Sequence, residues 1–422
     1  SGRASVLFRM AAIIRRRKLE LAAWMVYELD KPWDEAEGEV CEAIDFLEWY
    51  GRQALEVAQP VQLSHIPEEA VQLYWVPLGV GVIIPPWNFP CAILTGMTMG
   101  PVAAGNTAIL KPASNTPVIG YKMFEIMEEA GVPAGVVNFL PGSGAEVGDA
   151  LVDHPRVRFV NFTGSKDVGV RIYERAARVQ PGQRWLKRVA AEMGGKDAII
   201  VDADADLADA AQGIVAAAFG FSGQKCSACS RAIVHQDVYD EIVERVVALT
   251  RETVKVGSGE SGEATVCAVV DEKQYRTILN YIEIGKQEGR LVLGGEPAEG
   301  PGYYIQPTIF VDVPADARIA CEEIFGPVLA IVKAKDFDEA LAIANASEYG
   351  LTGSVYSRNR AHLERARFEF EVGDLYLNRK CTAALQGVHG FGGMKLSGTN
   401  TRAGGPDYLQ HFMELKSVGE RL

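Results

Sequence analysis

The feature of this sequence that most restricts its fold is a regular alternation of short apolar runs with amphipathic segments of helical period. Apolar runs of strand length occur at 80–84, 107–111, 136–140 and 157–162, and helical periodicity covers 117–130 and 165–179. After Lys196 the alternation resumes, with strands at 198–201, 232–235, 291–293, 328–332 and 353–356 and helices at 207–219, 238–254 and 271–289. Strands that are separated by helices of this length pair in parallel, so the sequence predicts α/β domains with doubly wound sheets.

Two longer helical segments, at 5–29 and 34–55, precede the first strand. Two short runs around Pro67 predict a β-hairpin over 61–76. A chain of 422 residues is long enough for two or three packed domains. We therefore expect one α/β domain made of 1–55 and 77–196, a second at 197–400, and smaller elements at 56–76 and 401–422.

Charge, hydropathy and cysteine usage exclude several classes of protein. A net charge of −13 argues against a nucleic-acid partner, since phosphate binding needs a basic face. No apolar run is long enough to span a membrane, and the first residues lack the layout of a signal peptide. The seven cysteines are scattered over a long chain, which favours a reducing cytoplasm over a secreted disulfide scaffold. Cys226 and Cys229 form a C-x-x-C pair, but no second pair follows, so no metal site is expected.

Three residues are candidates for catalysis. Cys226 follows a helix rich in small residues, and Lys225 would favour its thiolate; a redox pair with Cys229 or an inert core cysteine are the alternatives. Glu192, ahead of two glycines at a domain junction, could reach a cleft as a general base, or could be an ordinary ion-paired glutamate. Asn88 lies on a proline-stiffened loop after a strand, and its amide suits an oxyanion hole, although a turn asparagine is the default.

Candidate nucleotide contacts follow other strands. A G-x-G-x-x-G fingerprint after the first strand and a P-loop are both absent. Gly164, Ser165 and Gly169 lie where a strand passes into a helix, and the free N–H groups of such a helix start can hold a pyrophosphate or simply receive an N-cap. Lys111 ends a strand, and Pro112 keeps it extended, so it could contact ribose or phosphate, or remain solvated.

Taken in order, these motifs resemble the aldehyde dehydrogenase superfamily. The matching segments extend from the first helix to Lys416 and include PWNF, KPAS, FTGSxxxG, ExGG, GQxC, EEIFGP and GFGGxKxSG. The resemblance implies the aldehyde dehydrogenase fold, with a Rossmann-like NAD-binding domain over 1–55 and 77–196, a catalytic domain over 197–400, and oligomerisation elements, a hairpin and a tail, at 56–76 and 401–422. It also implies a homo-oligomer, dimeric or larger.

Within the superfamily the sequence is most similar to the branch that oxidises L-glutamate γ-semialdehyde to L-glutamate with NAD⁺, in the second step of proline breakdown. The segments that carry this similarity are EMGGKDAIIVD, GQKCSACSR, NYIEIGK, IQPTIF and NRKCTAALQGVHGFGGMKLSGTN. A dehydrogenase of another semialdehyde, such as succinate semialdehyde, is the alternative within the class. An inactive structural or binding relative is the alternative outside it, and the intact Cys226, Glu192 and Asn88 disfavour it.

The resemblance also implies roles for individual residues. Cys226 matches the nucleophile that forms a thiohemiacetal and then a thioester, the Asn88 amide and the Cys226 N–H match the oxyanion donors, and Glu192 matches the base that activates water. The positions that match cofactor contacts are Trp87, Lys111, Ser114, Gly164, Ser165, Gly169, Gly194, Glu323 and Phe325. The positions that match contacts to the small-molecule aldehyde are Glu42, Phe89, Ser227, Ala383, Ala384 and Phe391.

Three positions depart from the family pattern. Ala383 stands where a glycine is usual, which restricts the backbone beside the substrate carboxylate. His389 and Gly390 replace two residues of the usual QPFGG, so we expect a loop contact to differ. Ser114 stands where NAD-restricted relatives often carry an acidic residue. We therefore expect NAD as the cofactor, with use of NADP as a hypothesis.

Overall fold

The computed structural model describes residues 2–59, 61 and 63–422. Its α-helices are α1 (Gly2–Arg16), α2 (Lys18–Leu29), α3 (Trp33–Val57), α4 (Ala92–Ala103), α5 (Pro117–Glu129), α6 (Asp149–Asp153), α7 (Lys166–Ala176), α8 (Leu207–Phe219), α9 (Tyr239–Thr253), α10 (Glu272–Glu288), α11 (Arg318–Cys321), α12 (Phe337–Asn345) and α13 (Arg360–Glu369). Its strands are β1 (Glu69–Pro77), β2 (Val80–Ile84), β3 (Thr107–Leu110), β4 (Val137–Phe139), β5 (Val157–Thr163), β6 (Arg188–Glu192), β7 (Asp197–Val201), β8 (Cys229–His235), β9 (Arg290–Leu293), β10 (Thr308–Val311), β11 (Val328–Ala334), β12 (Tyr349–Gly350), β13 (Thr352–Tyr356), β14 (Asp374–Leu377), β15 (Met394–Lys395) and β16 (Met413–Arg421).

The first sheet has five parallel strands in the order β4-β3-β2-β5-β6. The chain runs outward from β2 through β3 to β4 and then returns to the other side of β2 as β5 and β6. The order therefore reverses between β2 and β5. An open α/β sheet binds ligands in the crevice outside the carboxyl ends of its strands at such a point. The predicted site residues at 87–89, 111–114, 164–165 and 192–194 all follow strands of this sheet at their carboxyl ends.

The second sheet has seven strands in the order β14-β13-β7-β8-β11-β10-β9, and only β9 runs antiparallel to its neighbour. Apolar cores lie on both faces of this sheet: α8 and α9 cover one, and α10, α12 and α13 cover the other. The segment 193–196 links β6 of the first sheet to β7 of the second. The predicted α/β class is confirmed by these two sheets.

The N-terminal helices pack against the first sheet. One continuous apolar core includes Leu7 of α1, Met25 of α2, Leu47 of α3, Met99 of α4 and Met123 of α5. Helix α3 packs along both α1 and α4. Turns of α3 therefore reach the loop that joins β2 to α4. This packing places α3 beside the predicted active site.

The predicted hairpin over 61–76 is wrong, although a strand is present. β1 pairs antiparallel with β16 over the register Glu69–Arg421 to Pro77–Met413, and the segment before it contributes only an isolated bridge between Ile66 and Glu69. The apolar side chains just ahead of that bridge are exposed, so pairing there would bury little apolar surface. The small two-stranded element is therefore built from distant parts of the chain. Position 62 of the predicted hairpin lies outside the described residues.

The sequence analysis did not predict helix α4. Nearly all of its side chains are buried, and it contains Pro101. A helix that is buried on every side has no polar stripe, so the periodicity that reveals an amphipathic helix is missing. In the described part of the chain, no helix is both long and apolar enough to cross a membrane. Nor do these residues include a group of three or more histidine, cysteine or carboxylate side chains placed to hold a metal ion.

Candidate active site

Cys226 lies on a tight turn after α8. The chain turns through 220–223, where Phe221 and Ser222 have positive φ angles of 50° and 58°. The Ser222 hydroxyl donates to the Cys267 carbonyl (2.8 Å) and accepts from the Cys267 N–H (2.8 Å), which stabilises this strained backbone. The turn places Cys226, half-buried, in the wall of a cavity of about 440 Å³.

The surroundings of Cys226 disfavour its thiolate. Burial raises the pKa of the Cys226 thiol far above its usual value, and the carboxyl groups of Asp197, Glu323 and Glu192 raise it further. The expectation that Lys225 favours the thiolate is wrong. Its ammonium group pairs with the Glu35 carboxylate at an Nζ–Oε1 distance of 2.6 Å.

The C-x-x-C sequence does not form a disulfide. Cys226 and Cys229 are both free thiols. Cys229 is fully buried, and its Sγ donates to the Arg231 carbonyl at 3.4 Å. Of the two cysteines, only Cys226 reaches the cavity.

Asn88 is fixed directly behind the cavity wall. It is 4% exposed, and its Nδ2 donates to the Gln224 carbonyl at 2.9 Å, two residues before Cys226. The neighbouring Phe89 lines the cavity. The amide of Asn88 is therefore tied to the loop that carries the thiol, although Asn88 is not among the described residues that line the cavity.

Glu192 is the last residue of β6 and also lines the cavity. Its Oε2 accepts from the Gly393 N–H at 3.0 Å, whereas its buried Oε1 has no hydrogen-bond partner among the residues that the structure describes. Burial raises the pKa of this carboxyl group well above its usual value. A buried carboxyl group with one unpaired oxygen is suited to take a proton from water that enters the cavity.

The predicted substrate contacts meet in the same cavity. The residues of this set in its wall are Glu42, Phe89, Ser227, Ala383, Ala384 and Phe391. Glu42 accepts a hydrogen bond from Gln386 Nε2 (2.8 Å), and burial raises its pKa to about 8. Gln386 also lines the cavity but was missed in the sequence analysis, because a lone loop glutamine carries no motif.

Ala383 has a φ angle of 68°, in the left-handed region that favours glycine. We expect Ala383→Gly to raise the free energy of unfolding by about 0.5–1 kcal/mol. The substitution relieves the backbone strain of the folded state, but part of this gain is lost because an unfolded chain with glycine has more conformational entropy. Ala384 has no positive φ angle, so Ala384→Gly is the matched control and should destabilise the protein. Urea unfolding measures both, and stabilisation or destabilisation by both variants alike would contradict the assigned strain.

The predicted cofactor contacts follow the crevice at the carboxyl ends of the first sheet. Ser165 is exposed at the start of α7 and makes no side-chain capping bond. A Cβ atom at Gly169 would lie 2.4 Å from Met193 Sδ, so glycine allows α7 to approach the 193–196 link. Lys111 is buried, its Nζ donates to the Pro112 carbonyl (3.1 Å), and burial lowers its pKa. Helix N–H groups and a lysine along one crevice suit the phosphates and ribose of a dinucleotide.

Glu323 and Phe325 extend this crevice toward Cys226. Glu323 Oε1 accepts from the Gly195 N–H at 3.1 Å, and burial raises its pKa to about 7. A Cβ atom at Gly194 would lie 2.3 Å from Glu323 Oε2, so any side chain there would displace the Glu323 carboxylate. Phe325 packs edge-on against Trp87 with 5.7 Å between ring centroids. Ser114 is exposed on the loop after Lys111. The residues present thus fit a nicotinamide dinucleotide.

Comparisons with known proteins agree with this arrangement. The aldehyde dehydrogenase family model matches residues 1–418. The 1-pyrroline-5-carboxylate dehydrogenase of Geobacillus kaustophilus is 60% identical over 419 residues, which cover 99% of this chain and 81% of that protein. The enzyme of the same name from Bacillus cytotoxicus is 58% identical over 420 residues, with 100% and 81% covered.

Solved structures give the same result. The 1-pyrroline-5-carboxylate dehydrogenase from Thermus with bound NAD has a TM-score of 0.98 at 57% identity and covers 100% of this chain and 81% of its own. An NADP-dependent enzyme from E. coli has a TM-score of 0.93 at 34% identity, with 100% and 86% covered. The motifs, the site and these matches lead to one conclusion: the chain belongs to the aldehyde dehydrogenase family.

Proposed function

We propose that this chain is an NAD-dependent dehydrogenase that oxidises L-glutamate γ-semialdehyde, which forms from 1-pyrroline-5-carboxylate, to L-glutamate in proline catabolism. The observation that carries the proposal is that Cys226 and Glu192 line one cavity. One oxygen of the Glu192 carboxyl group has no hydrogen-bond partner among the described residues. The loop 383–386, which resembles the branch specific for this aldehyde, lines that cavity too. Relatives named 1-pyrroline-5-carboxylate dehydrogenase at 60% identity support the choice of substrate.

In the first half of the reaction the thiolate of Cys226 adds to the aldehyde carbon. The carbonyl oxygen becomes an oxyanion, which the Asn88 amide and the Cys226 N–H stabilise. Because the surroundings raise the pKa of the thiol, the thiol must lose its proton to solvent before the attack. Bound NAD⁺ would supply the hydride acceptor, and loss of a hydride from the tetrahedral carbon would convert the adduct on Cys226 to a thioester.

In the second half Glu192 takes a proton from a water molecule, which attacks the thioester carbon. The carbon–sulfur bond breaks, the carboxylic acid leaves, and the thiol is restored. The Gly393 N–H, which donates to Glu192 Oε2, holds the carboxyl group in the cavity wall and leaves Oε1 without a hydrogen-bond partner among the described residues. Glu192 then gives the proton that it took from water to the departing sulfur, so the carboxyl group begins and ends the second half deprotonated.

We propose that other residues of the cavity wall select the substrate. The N–H groups around Ala383 and Ala384, with the Ser227 hydroxyl, would bind the α-carboxylate. Phe89 and Phe391 would enclose the aliphatic part, and Glu42 would line the entry. For the cofactor, Ser165 and the start of α7 would hold the pyrophosphate.

The residues of the same crevice also bear on the choice between NAD and NADP. Lys111 would contact the adenosine ribose, and Glu323 and Phe325 the nicotinamide half, with Gly164, Gly169, Gly194 and Trp87 shaping the crevice. Ser114 adds no negative charge beside that ribose, so we propose NAD as the main cofactor with measurable use of NADP. A carboxylate there would repel a 2′-phosphate.

The test is an NADH-formation assay over a panel of aldehydes. The panel contains L-glutamate γ-semialdehyde, succinate semialdehyde and simple aliphatic aldehydes, each with NAD⁺ and with NADP⁺. We expect the highest kcat/KM with L-glutamate γ-semialdehyde and NAD⁺. A preference for another aldehyde would overturn the substrate, and negligible turnover with NADP⁺ would overturn the cofactor hypothesis.

We further propose that the chain forms a homo-oligomer, at least a dimer. The outer face of α7 exposes Tyr173 (57%) and Val168, and the two-stranded element exposes Tyr74 and Leu415. Apolar side chains on an amphipathic helix and on a sheet edge are typical of subunit contacts. A monomeric mass by light scattering would contradict this proposal. Because all the cysteines are free thiols, we also propose a reducing, cytoplasmic location.

The domain assignment follows from the same reasoning. We propose that 1–55 and 77–196 bind NAD and that 197–400 carry the nucleophile. The oligomerisation elements at 56–76 and 401–422 would then include most of β1 and all of β16.

A further inference from the structure

A buried ion pair lies beneath the loop that carries Asn88. Lys31 is 0% exposed and Glu39 is 2% exposed, and the Lys31 ammonium group donates to Glu39 Oε2. Lys31 follows α2, and Glu39 lies in the second turn of α3. Taking two charges out of water is unfavourable unless each is paired and hydrogen-bonded. The other hydrogen bonds of this pair therefore indicate what it is for.

Both members of the pair hold the loop. Lys31 Nζ donates to the Asn88 carbonyl at 2.8 Å. Glu39 Oε1 accepts from the Cys91 N–H at 2.7 Å and from the Ala92 N–H at 3.0 Å, at the start of α4. The loop is thus anchored at Asn88 itself and again three residues later. A pair of apolar side chains could fill this space but could not make these bonds.

The same ammonium group also contacts two aromatic rings. Lys31 Nζ lies 4.0 Å from the ring centroid of Phe89 and 4.5 Å from that of Phe221. Phe89 lines the cavity, and Phe221 belongs to the turn that presents Cys226. Lys31 therefore contacts both of the loops whose mutual placement determines where an oxyanion can form.

Two other carboxylates of α3 also bind side chains of loops around the active site. Glu35 pairs with Lys225, next to Cys226, at 2.6 Å. Glu42 accepts from Gln386 of the substrate loop at 2.8 Å. Residues spaced by three and four lie on one face of a helix, so a single face of α3 contacts three active-site loops.

We infer that Lys31 and Glu39 are positioning residues, which hold the Asn88 amide where it stabilises the oxyanion formed on Cys226. The inference rests on the proposed function for the role of Asn88. Lys31 is not part of the cavity wall, and its contacts among the described residues include neither Cys226 nor Glu192, so its effect passes through the loop; Glu39 is itself a residue of the cavity wall. A donor displaced by even a fraction of its hydrogen-bond length stabilises the oxyanion poorly.

The test is a double-mutant cycle on the full chain. Lys31→Met should lower kcat/KM for the preferred aldehyde by about 10- to 100-fold, the range expected when one oxyanion donor is misplaced. In an Asn88→Ala background the same change should lower kcat/KM by less than about 3-fold, because the donor that Lys31 positions is gone. An equal loss in both backgrounds would overturn the inference, since damage to the fold does not depend on Asn88.

The matched control is Lys18→Met. Lys18 Nζ pairs with Glu37 of α3, so the variant removes an ion pair between the same two helices, but on their outer side. We expect its kcat/KM to stay within about 2-fold of the unmodified protein, as is usual for a partly exposed pair. A loss equal to that of Lys31→Met would show that any ion pair here matters and would overturn the inference.

A second variant removes the risk that Lys31→Met leaves a buried, unpaired carboxylate. In Lys31→Met/Glu39→Gln the amide oxygen of residue 39 can still accept from Cys91 and Ala92, while the bond to the Asn88 carbonyl is lost. This neutral variant should show the same coupling to Asn88. Hydrogen exchange measured by mass spectrometry should rise over 85–92 in both variants and not over α5, and unchanged exchange at 85–92 would overturn the inference.

The outcomes separate this inference from the proposed function. If the unmodified protein oxidises none of the aldehydes, the proposed function fails. The same cycle is then run on p-nitrophenol release from p-nitrophenyl acetate, in which the Cys226 sulfur forms a thioester through an oxyanion at the same atoms. Coupling between Lys31 and Asn88 in that reaction supports the positioning role, and its absence overturns it.

Discussion

Replacing Cys226 by alanine is expected to reduce NADH formation by at least about 10⁴-fold, because the thiol that forms the covalent intermediate is removed. The turn at 220–223 and the Ser222 bonds to Cys267 do not involve the thiol, so the variant should fold and bind NAD⁺ as before. Steady-state assays measure the loss, and NAD⁺-induced fluorescence quenching checks the binding. Retained turnover would refute Cys226 as the nucleophile.

Cys229→Ala is the matched control for this prediction. Cys229 is buried beside the site, and its Sγ donates to the Arg231 carbonyl. We expect activity within about 3-fold of the unmodified enzyme, since a buried neutral thiol behaves as a small apolar side chain. A loss as large as that of Cys226→Ala would instead indicate that the two cysteines act as a redox pair.

The raised pKa of the Cys226 thiol gives this prediction a pH dependence. A raised pKa means that less thiolate is present at neutral pH, so alkylation of Cys226 by iodoacetamide should be slow at pH 7 and accelerate as the pH rises. A rate that is already constant between pH 7 and pH 9 would contradict the direction of the shift.

Replacing Glu192 by glutamine is expected to separate the two halves of the reaction. Glutamine keeps an oxygen for the Gly393 N–H but cannot accept a proton from water. The variant should release about one NADH per active site in a burst and then turn over about 10²- to 10⁴-fold more slowly than the unmodified enzyme, which is the usual contribution of a general base. Stopped-flow absorbance measures both phases, and a variant without a burst would show that Glu192 is needed before the thioester forms.

The pH profile provides a further check on Glu192. Because burial raises its pKa, the base form of the carboxyl group appears at a higher pH than in an ordinary glutamate and increases as the pH rises toward that pKa. The steady-state rate of the unmodified enzyme should therefore increase with pH, and the slow rate of Glu192→Gln should not show this increase. Glu288→Gln is the control: Glu288 also accepts backbone N–H bonds, from Arg318 and Ile319, but lies on α10 outside the cavity wall.

The local pattern of apolar and polar residues predicted those elements of the fold that have a clear periodicity of their own. The strand at 80–84 and the helix at 207–219 have the predicted bounds, because one has a pure apolar run and the other a capped apolar stripe. Helix α4 was missed, because a helix buried on all sides has no period. The predicted partner of β1 was wrong, because the alternation of apolar and polar residues shows that a segment is a strand but not which distant segment it pairs with.

The active site divides in the same way. The sequence by itself determined the reacting groups and their order, since a thiol, an amide and a carboxyl group are chemically explicit and their motifs recur together. Only the tertiary structure decided their state: the raised pKa values of Cys226 and Glu192, the pairing of Lys225 with Glu35, and the ion pair of Lys31 with Glu39. Protonation and positioning depend on burial and on contacts between residues far apart in the chain, and a linear sequence encodes these only through the fold.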